Sequence, residues 1–585
     1  LGRVTRAVCD GKSYEYIYDA HGNLKEKRSN GKRLVSYTHD RAGQITEIKD
    51  PAGVSTRYEY DILGRRSRIY NNDGLEVRYG YDALNRISRI HYGNGVETAY
   101  TYDGDGNIRT LETRAGEDVL LSFAYRYDGN GNRTAKTGTQ ATLGGITSEI
   151  TTGNNALDIS YNYDVRGQLL EERRNGASVC YAYDKAGNRI RKTDAQGETR
   201  YLYNEKNQLT AEESPVDRKQ FSYDRQGGII EEKNAAGIRL FSYNSRHQQT
   251  RVETETGNVQ ENRYDAEGLR FELLENGRRT SFVYHNGELL QEEGREEQGT
   301  SYHLGAGMEA FRRGQELSYY HRDEQLSTVF VTDGHRNVQN SYQYDAFGMS
   351  LGTTEKLNNR IRYTGQQYDD VTGQYYLRAR YYNPVAGRFM QEDVYQGDGL
   401  NLYAYCGNNP VVYDDPSGYA STSTGKACPP KGKISESVDG SGTPSEKVKV
   451  PTVKSGEFNE WFNSLSVDEL DELWKDKSTR KAIERQLRAP GGMHEWHLVS
   501  RAPQFKYWGV NAEQIRDLRT VINDVEFVNP VGKHGQLGST TAHNELLGII
   551  DSSSDYSMFT RRLNNWANYR LKGGIDTLPE GLRIK

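Results

Sequence analysis

The sequence is poor in cysteine and proline and has no long apolar run. Its four cysteines lie far apart and form no CxxC pair, so neither a disulfide framework nor a cysteine zinc site is indicated. No stretch approaches the roughly 18 apolar residues of a transmembrane helix. The net charge of −5 excludes a generally basic protein that coats nucleic acid. Because residue 1 is Leu, we expect the chain to be a piece of a longer protein.

Tyrosine is abundant but almost confined to the first part of the chain. Of the 43 tyrosines, 40 lie within residues 1–420, whereas all five tryptophans follow residue 420. Residues 1–420 contain 53 Lys and Arg against 60 Asp and Glu, a net of −7, and the remainder has a net of +2. This switch predicts two modules, in agreement with a length too great for one core. The segment 420–457, rich in Ser, Thr, Gly, Pro and Lys, predicts an extended linker.

Tyr-Asp dipeptides recur through the first module. Five turn aspartates are spaced by 21 residues, namely Asp19, Asp40, Asp61, Asp82 and Asp103. A fixed period of this length predicts a repeat architecture. In each unit, alternating tyrosines share one strand face, the Asp begins a turn, and a Gly-Asn pair tolerates the left-handed backbone of that turn. One hairpin cannot bury a face alone, but stacked hairpins can, so we predict a long coiled β-sheet.

These units resemble the YD repeats of the Rhs family. The stretch 368–419, which ends in YCGNNPVVYDDPSGY, closely resembles the core-end segment of that family. The resemblance implies a mainly β protein in which residues 1–367 wind into a hollow β-shell, or cocoon. It also implies that residues 368–419 form an autocleavage segment and that the shell encloses a variable C-terminal toxin, here 458–585. On the repeats alone, a tyrosine-rich β-solenoid that only binds or spaces is the alternative.

The resemblance to Rhs proteins implies cleavage of the chain between Tyr419 and Ala420. Proteolysis in that family uses Asp carboxylates near the core end, and the candidates here are Asp393 and Asp398. Two carboxyl groups held close together separate their pKa values, which supplies one base and one acid for attack by water. The chain has Val394 after Asp393 where the family more often has Pro, so the role of each Asp stays open. The alternative is that both are turn formers.

The second module carries four histidines in one short window: His494, His497, His534 and His543. We predict a strand-like segment at 493–500 and a helix that begins at Ser539 or Thr540, which would turn several of these rings toward one core. Buried imidazoles need partners, and one divalent cation would satisfy several of them. Only two residues separate the first two histidines, so the HExxH zincin motif is not present. For each histidine alone, a packed or surface role is the alternative.

The pattern over 490–571 resembles the HNH/endonuclease VII (ββα-metal) superfamily, specifically Rhs-tail nucleases with an ordered Glu, His, His, His signature. The matching residues are Glu495, His497, His534 and His543. The resemblance implies a small α+β domain in which His497 is the base and Asn544 orients it. Glu495 and His543 would hold the metal, His534 would be a further ligand or phosphate contact, and His494 is an alternative ligand to Glu495. These nitrogen and oxygen donors suit Mg, Mn, Ni or Zn.

Lys533, Arg561 and Arg562 are candidate contacts to nucleic-acid phosphates, with a solvated face as the alternative. The predicted function is a secreted or cell-surface toxin whose metal-dependent DNase domain acts in the cytoplasm of a competing cell. Its expected partners are DNA, an upstream delivery module and a cognate immunity protein. Two alternatives stay open: an RNase of similar fold, and a non-enzymatic cell-surface or carbohydrate-binding repeat protein.

Overall fold

The computed structural model describes most of the chain. The described residues are 4–583 except 144–149, 152–155, 295–297, 395–400, 420, 424–449, 466–468, 471–472, 475–476, 490–492, 495, 509, 522–524, 529–531, 534–541, 543–544, 547–548 and 551–555. The chain divides into two compact units, Val4–Ile434 and Ser435–Lys585, with Leu1–Arg3 grouped with the second. The predicted linker 420–457 lies mostly outside the described residues. The predicted domain boundaries therefore stay predictions.

The first unit is built on a 33-stranded antiparallel sheet, which confirms the mainly β prediction. The strands of this sheet in chain order are β1 (Arg6–Cys9), β2 (Lys12–Tyr18), β3 (Leu24–Ser29), β4 (Lys32–His39), β5 (Ile45–Lys49), β6 (Ser55–Tyr60), β7 (Arg66–Tyr70), β8 (Glu76–Tyr81), β9 (Ile87–Tyr92), β10 (Val96–Tyr102), β11 (Ile108–Ala115), β12 (Asp118–Tyr127), β13 (Arg133–Gln140), β16 (Ala156–Tyr163), β17 (Leu169–Arg174), β18 (Ala177–Tyr183), β19 (Arg189–Asp194), β20 (Gly197–Tyr203), β21 (Leu209–Glu213), β22 (Arg218–Tyr223), β23 (Ile229–Asn234), β24 (Gly237–Tyr243), β25 (Gln249–Glu253), β26 (Val259–Tyr264), β27 (Arg270–Glu275), β28 (Arg278–His285), β29 (Glu288–Glu293), β30 (Thr300–Leu304), β31 (Met308–Arg313), β32 (Glu316–Arg322), β33 (Thr328–Asp333), β34 (Val338–Tyr344) and β35 (Ser350–Glu355). A separate pair, β14 (Thr142–Leu143) and β15 (Ile150–Thr151), lies between β13 and β16.

The turn after each Tyr-Asp dipeptide is organised by the Asp side chain. In the unit that follows β10, Asp103 Oδ1 accepts hydrogen bonds from the backbone nitrogens of Asp105 (3.0 Å) and Asn107 (2.9 Å). The backbone nitrogen of Asp103 in turn donates to the Asn107 carbonyl at 2.9 Å. Side chains of this type satisfy turn backbone groups that no strand partner reaches. This bonding explains why the aspartate recurs at a fixed place in each repeat.

The tyrosine of each dipeptide fastens neighbouring strands together. The Tyr102 hydroxyl donates to the Ile87 carbonyl at 2.6 Å, and the Tyr183 hydroxyl donates to the Leu169 carbonyl at 2.9 Å. In both cases the acceptor is the first residue of the preceding strand. The same bond is made by Tyr60, Tyr81, Tyr163, Tyr203, Tyr243, Tyr264 and Tyr284. A phenylalanine cannot make this bond, which favours tyrosine at these repeat positions.

The long sheet coils back on itself, so that residues far apart in sequence meet. The Tyr14 hydroxyl donates to Asp265 at 2.8 Å, and the Tyr125 hydroxyl donates to Glu324 at 2.7 Å. Buried apolar side chains from both passes of the sheet, such as Ile69 and Phe330, belong to one continuous core. The predicted coiled sheet is therefore confirmed.

A small core-end layer packs against the long sheet. Its elements are a 3₁₀ turn at Tyr363–Gly365, β36 (Gln367–Asp369), β37 (Gln374–Leu377), β38 (Arg380–Asn383), β39 (Arg388–Phe389), a 3₁₀ turn at Cys406–Asn408, β40 (Tyr413–Asp414) and β41 (Thr422–Ser423). Asp369 fastens this layer to the sheet through two buried arginines, Arg270 and Arg360. All three side chains are fully buried, so water does not screen their charges. The carboxylate and the two guanidinium groups therefore have to neutralise one another, together with nearby buried groups.

The second unit is a small α+β domain, as predicted. The helices whose bounds the structure describes in full are α1 (Phe458–Ser464), α2 (Lys477–Leu487), α3 (Ala502–Tyr507), α4 (Ala512–Asp517) and α5 (Tyr556–Arg570). Short strands β42 (Met493–His494) and β43 (Thr520–Val521) pair, as do β44 (Glu526–Phe527) and β45 (Gly532–Lys533). Three 3₁₀ turns lie at Val453–Ser455, Gly574–Thr577 and Glu580–Leu582. No described helix has the length and apolar character needed to cross a membrane.

The second unit contains one clear helix cap. Asn511 caps α4, because its side chain accepts from the Gln514 backbone nitrogen at 2.9 Å while Gln514 reciprocates. The predicted strand over 493–500 is wrong beyond His494. Trp496 and His497 have φ values of 47° and 62°, and a left-handed backbone at two successive residues ends the strand in a turn.

Candidate functional site

The predicted cleavage point lies at the end of a tight turn built around Asp415. The Oδ1 atom of Asp415 accepts hydrogen bonds from the backbone nitrogens of Ser417 (3.2 Å), Gly418 (2.8 Å) and Tyr419 (3.2 Å). The Asp415 side chain is buried, whereas Tyr419 is 45% exposed. The turn belongs to the connection between β40 and β41, which pair with each other. The backbone that leads to the Tyr419 carbonyl is therefore held in place by one carboxylate.

Arg380 joins this turn to a second carboxylate, Asp393. Its Nη2 lies 2.7 Å from Asp393 Oδ2 and 3.4 Å from Asp415 Oδ2, and its Nε donates to the Gly418 carbonyl. The guanidinium lies 3.5 Å from the centre of the Phe389 ring. Arg380, Asp393 and Asp415 are all buried. One cation thus holds two carboxylates and the backbone next to the predicted cut, which is a preorganised arrangement.

Gly418 is required by the close packing of this turn. Its φ of +72° lies in the left-handed region, and a Cβ atom there would overlap the Leu377 carbonyl oxygen and approach the Arg380 backbone nitrogen to 2.9 Å. Both neighbouring atoms belong to the backbone, so they cannot move away by a side-chain rotation. The turn can therefore lie against β37 and β38 only with glycine at this position.

An open cavity of about 430 Å³ adjoins the turn. Arg380, Asp393 and Tyr419 line it from the core-end layer, and His247 and Glu267 line it from the long sheet. A cavity of this size has room for water, and Asp393 and Tyr419 both contribute to its lining.

The structure places only part of the predicted self-cleavage site. Asp393 lies at the site described above, whereas Asp398 and Ala420 lie outside the described residues. Sequence reasoning missed Asp415 and Arg380. A signal for Asp415 was present, since it lies in the DPSGY motif immediately before the predicted cut. Arg380 carried no comparable signal, because its role depends on contacts with residues from 393 to 418.

In the second unit, the structure describes two of the four histidines. His494 is 3% exposed, its ring centre lies 4.3 Å from that of Trp496, and its Nδ1 accepts from the Trp496 backbone nitrogen at 3.3 Å. His497 is partly buried, and its Nδ1 lies 3.1 Å from Ser500 Oγ. Trp496 is fully buried in the core of this unit, and its Nε1 donates to Thr520 at 3.1 Å.

The remaining predicted nuclease residues are not brought together by the described structure. Glu495, His534, His543 and Asn544 lie outside the described residues, as do the side chains of Lys533 and Arg561. Arg562 is partly buried on α5. Within the described part of the chain, no three His, Cys, Asp or Glu residues form a group that could hold a metal ion. The metal site therefore stays a prediction that depends on Glu495, His534 and His543.

Three polar side chains that sequence reasoning missed, Glu545, Arg516 and Arg519, make hydrogen bonds within this unit. Glu545 accepts from Trp566 Nε1 at 2.8 Å and from Arg570 Nε at 2.7 Å, so Glu545 is fastened to α5. Arg516 and Arg519 both donate to the Ala489 carbonyl, at 3.1 Å and 3.2 Å. These bonds hold the backbone of Ala489, two residues after the end of α2.

A comparison with protein families and known proteins gives three kinds of match. A family model described as "Teneurin YD-shell" matches residues 4–127 and 141–411. The tRNA3(Ser)-specific nuclease WapA of Bacillus spizizenii is 38% identical over 176 residues, which cover 27% of this chain and 7% of that protein. The double-stranded DNA deaminase toxin A of Burkholderia cenocepacia is 30% identical over 171 residues, 28% of this chain and 12% of that protein.

Among solved structures, the crystal structure of TcdB2-TccC3-Cdc42 is similar to this chain with a TM-score of 0.56 and 17% identity. The match covers 71% of this chain and 24% of that one. At this identity the likeness concerns the fold alone. The chain thus spans a small part of the length of each relative that it matches.

Proposed function

The chain belongs to the Teneurin YD-shell family, and on that premise we propose that its YD-repeat unit carries a C-terminal nuclease toxin and releases it by cutting the chain between Tyr419 and Ala420. The observation that carries the proposal is the contact of Arg380 with both Asp393 and Asp415, next to the backbone of Gly418. Carboxylates in this setting serve either as structural anchors or as acid and base. Here one carboxylate anchors the turn and the other lines the water-accessible cavity.

The proposed reaction is hydrolysis of one peptide bond. Asp393 takes a proton from a water molecule in the cavity, and the water oxygen bonds to the Tyr419 carbonyl carbon. The bond between that carbon and the Ala420 nitrogen then breaks, and the proton passes to the new amine of Ala420. Asp415 holds the turn through three backbone nitrogens, so we assign it a positioning role. Asp398 stays a candidate for the second carboxyl group, which would act as the acid beside the base Asp393.

Arg380 contributes a fixed positive charge at this turn. It donates to the Gly418 carbonyl, one residue before the carbonyl that is attacked. Negative charge develops on the attacked oxygen during hydrolysis, and a preorganised cation nearby stabilises it. The buried position of Arg380 strengthens this effect, because water screens its charge less there.

The experiment is to follow the full chain on denaturing gels and by intact mass. The wild type should give a fragment that begins at Ala420, and Asp393→Asn should remain intact. Asp103→Asn is the matched control, since Asp103 organises an exposed turn far from Asp393 in sequence. If Asp393→Asn splits after Tyr419 at the wild-type rate, the assignment of Asp393 is wrong.

We further propose that the released unit hydrolyses phosphodiester bonds with His497 as base and Asn544 orienting it. Glu495 and His543 would hold a divalent metal, Mg, Mn, Ni or Zn, with His534 or His494 as a further ligand. Such a cation would stabilise the charge that develops on the phosphate oxygens. Lys533, Arg561 and Arg562 would contact neighbouring phosphates. The support is the ordered Glu, His, His, His pattern in the sequence.

DNA is the first candidate substrate, and RNA is the second. Phosphodiester chemistry alone does not separate DNA from RNA. The relative whose printed name is a tRNA nuclease supports RNA. The proposal further implies an upstream delivery module, action in the cytoplasm of a target cell and an immunity protein in the producer.

Expression of residues 420–585 in bacteria tests the nuclease proposal. Growth, chromosomal DNA and tRNA are followed in parallel for the wild type, His497→Ala and the control Asp576→Ala, whose side chain is 83% exposed. Loss of DNA supports the DNase, and loss of tRNA alone supports the RNase. Normal growth with both nucleic acids intact would favour the non-enzymatic repeat protein.

A further inference from the structure

Two neighbouring turns of the long sheet present large apolar side chains to solvent. Ile62 and Leu63 lie at the tip of the turn between β6 and β7, and Leu84 lies at the tip of the turn between β8 and β9. Their exposed fractions are 101%, 59% and 68%. Most turns of this type carry small or polar residues at the same two positions, for example Ala20-His21, Gly104-Asp105, Lys185-Ala186 and Glu205-Lys206. The turn itself therefore gives no reason for the three apolar residues, which we call the apolar rim.

The two turns lie side by side and are fastened to each other. Strands β6, β7, β8 and β9 pair in chain order, so both turns lie at the same end of these strands. Neighbouring strands lie about 4.8 Å apart, which places the two tips about 10 Å from each other. Arg65 Nη1 donates to Asn85 Oδ1 at 2.7 Å across this gap. The apolar rim is therefore one surface and not two unrelated loops.

Backbone groups of each turn find their partners within the turn. Asp61 Oδ1 accepts from the backbone nitrogens of Leu63 at 2.9 Å and Arg65 at 3.0 Å. The backbone nitrogen of Gly64 donates to the Asp61 carbonyl at 2.9 Å. The turn at Asp82 repeats these bonds. Backbone groups that already have partners cost less to remove from water than free ones, so these tips are suited to enter an apolar medium.

The charges behind the tips cancel within each turn. Arg65 lies 2.6 Å from Asp61, and Arg86 lies 2.7 Å from Asp82. Residues 61–65 and 82–86 contain no other charged side chain, so each turn has a net charge of zero. Each arginine also lies over a tyrosine ring, at 4.3 Å for Arg65 and 4.2 Å for Arg86. Tyrosine is enriched where lipid meets water, and cancelling charges match a zwitterionic surface.

The size of the apolar rim favours a lipid surface over a protein partner. A stable protein interface buries about 800 Å² on each side and uses about 20–30 residues. The rim offers three large apolar residues at projecting tips, which is too few. A bilayer needs no matching pocket, because apolar side chains enter the boundary between headgroups and acyl chains directly.

We infer that the apolar rim inserts into the surface of a bilayer of zwitterionic phospholipid. Ile62, Leu63 and Leu84 leave water, and the two ion pairs behind the tips remain among the headgroups. The attachment is weak and reversible, because only three side chains take part. It does not depend on salt, because neither turn carries a net charge. This inference is independent of the cleavage and of the nuclease activity proposed above.

The test is flotation of the full chain with phosphatidylcholine vesicles in a density gradient. The wild type should float with the vesicles. A variant that combines Ile62→Ser, Leu63→Ser and Leu84→Ser should bind about tenfold more weakly or less, because the three apolar side chains are gone. Its circular dichroism should match that of the wild type, since all three side chains are exposed.

Val165→Ser is the matched control. Val165 is 104% exposed at the tip of the turn that follows Asp164, so it is a large apolar residue at an equivalent position. The turns on either side of it carry Gly129-Asn130 and Lys185-Ala186. Val165 therefore stands alone, and Val165→Ser should float like the wild type.

Three outcomes would overturn the inference. It is wrong if the wild type does not float, or if the combined variant floats equally well. It is also wrong if binding requires anionic phosphatidylglycerol or disappears at about 1 M salt, because charge attraction would then explain it. Sedimentation velocity without lipid tests a second copy of the chain as the occupant. A wild-type dimer that dissociates in the combined variant would place the rim between two copies instead.

Discussion

Asp345 and Glu172 bring two buried acidic side chains together in the first unit. Glu172 accepts a hydrogen bond from the Ala346 backbone nitrogen at 2.9 Å, immediately after Asp345. Burial, followed by the charge of Glu172, raises the pKa of Asp345 to about 7 from an ordinary 3.8. Lys192 and Arg189 oppose this shift only in part. The pair therefore gives the fold a dependence on pH.

The sign of that dependence follows from the direction of the shift. The folded state binds a proton at Asp345 more tightly than the unfolded state, so stability falls as pH rises from about 4 to about 7. Asp345→Asn should remove this loss and stabilise the first unit at pH 8, because asparagine keeps the Oδ1 acceptor for Phe347 and Met349. The unfolding free energy of the wild type and of Asp345→Asn is measured at pH 5 and pH 8 by denaturant unfolding followed by circular dichroism.

Asp103→Asn is the control for this effect. Although burial acts to raise the pKa of Asp103, hydrogen bonds from Asn107 and its neighbours lower it overall, so its substitution should destabilise the sheet at pH 8. Tryptophan fluorescence reports the second unit separately, since all five tryptophans lie after residue 420. If Asp345→Asn and Asp103→Asn change the unfolding free energy at pH 8 in the same direction and by the same amount, the role of the Asp345 and Glu172 pair is contradicted.

Glu324 is the centre of a buried charge cluster. Burial opposes its ionisation, but Lys136 and Arg133 hold its pKa at about 2. It lies 2.7 Å from Arg133 and 3.0 Å from Lys136. Glu324→Gln leaves two buried cations without their carboxylate and should cost about 3 kcal/mol of unfolding free energy. Glu213→Gln, which breaks an exposed pair with Arg218, should cost less than about 1 kcal/mol.

The tyrosine hydroxyls can be tested one at a time. Tyr183→Phe removes the bond to the Leu169 carbonyl and should cost about 1 kcal/mol, because that carbonyl then loses a partner. Tyr181 lies on the same strand, and its ring packs 5.2 Å from that of Phe347. Tyr181→Phe keeps this packing and should cost less. If Tyr183→Phe costs no more unfolding free energy in urea than Tyr181→Phe, the hydroxyl bond to the preceding strand does not explain the tyrosine repeat.

Gly418 offers a steric test of the cleavage turn. Gly418→Ala should slow self-cleavage by about tenfold or more, because the added methyl group would push the turn away from Leu377 and Arg380. Gly407 also has a positive φ, 55°, but open space around its Cβ position. Gly407→Ala therefore carries the backbone strain without the overlap. If both variants cleave equally slowly, strain alone explains the effect and the overlap is irrelevant.

The sequence predicts local features of the fold better than it predicts the site. Turn aspartates and alternating tyrosines are visible because their bonds span a few residues or one neighbouring strand. The contacts of Tyr14 with Asp265 and of Arg380 with Asp415 depend on how the sheet coils, which no short motif encodes. The left-handed backbone at Trp496 is equally hidden, since neither glycine nor asparagine marks it.

Breaking a peptide bond and parting the two pieces are separate events in this architecture. Strands β40 and β41 stand on opposite sides of the predicted cut, and Asp414 and Thr422 pair across it. The proposed hydrolysis would remove the covalent connection without itself breaking the two residue pairs between these strands. A cut chain would then still be joined to the first unit by this short ladder at its new amino-terminal end.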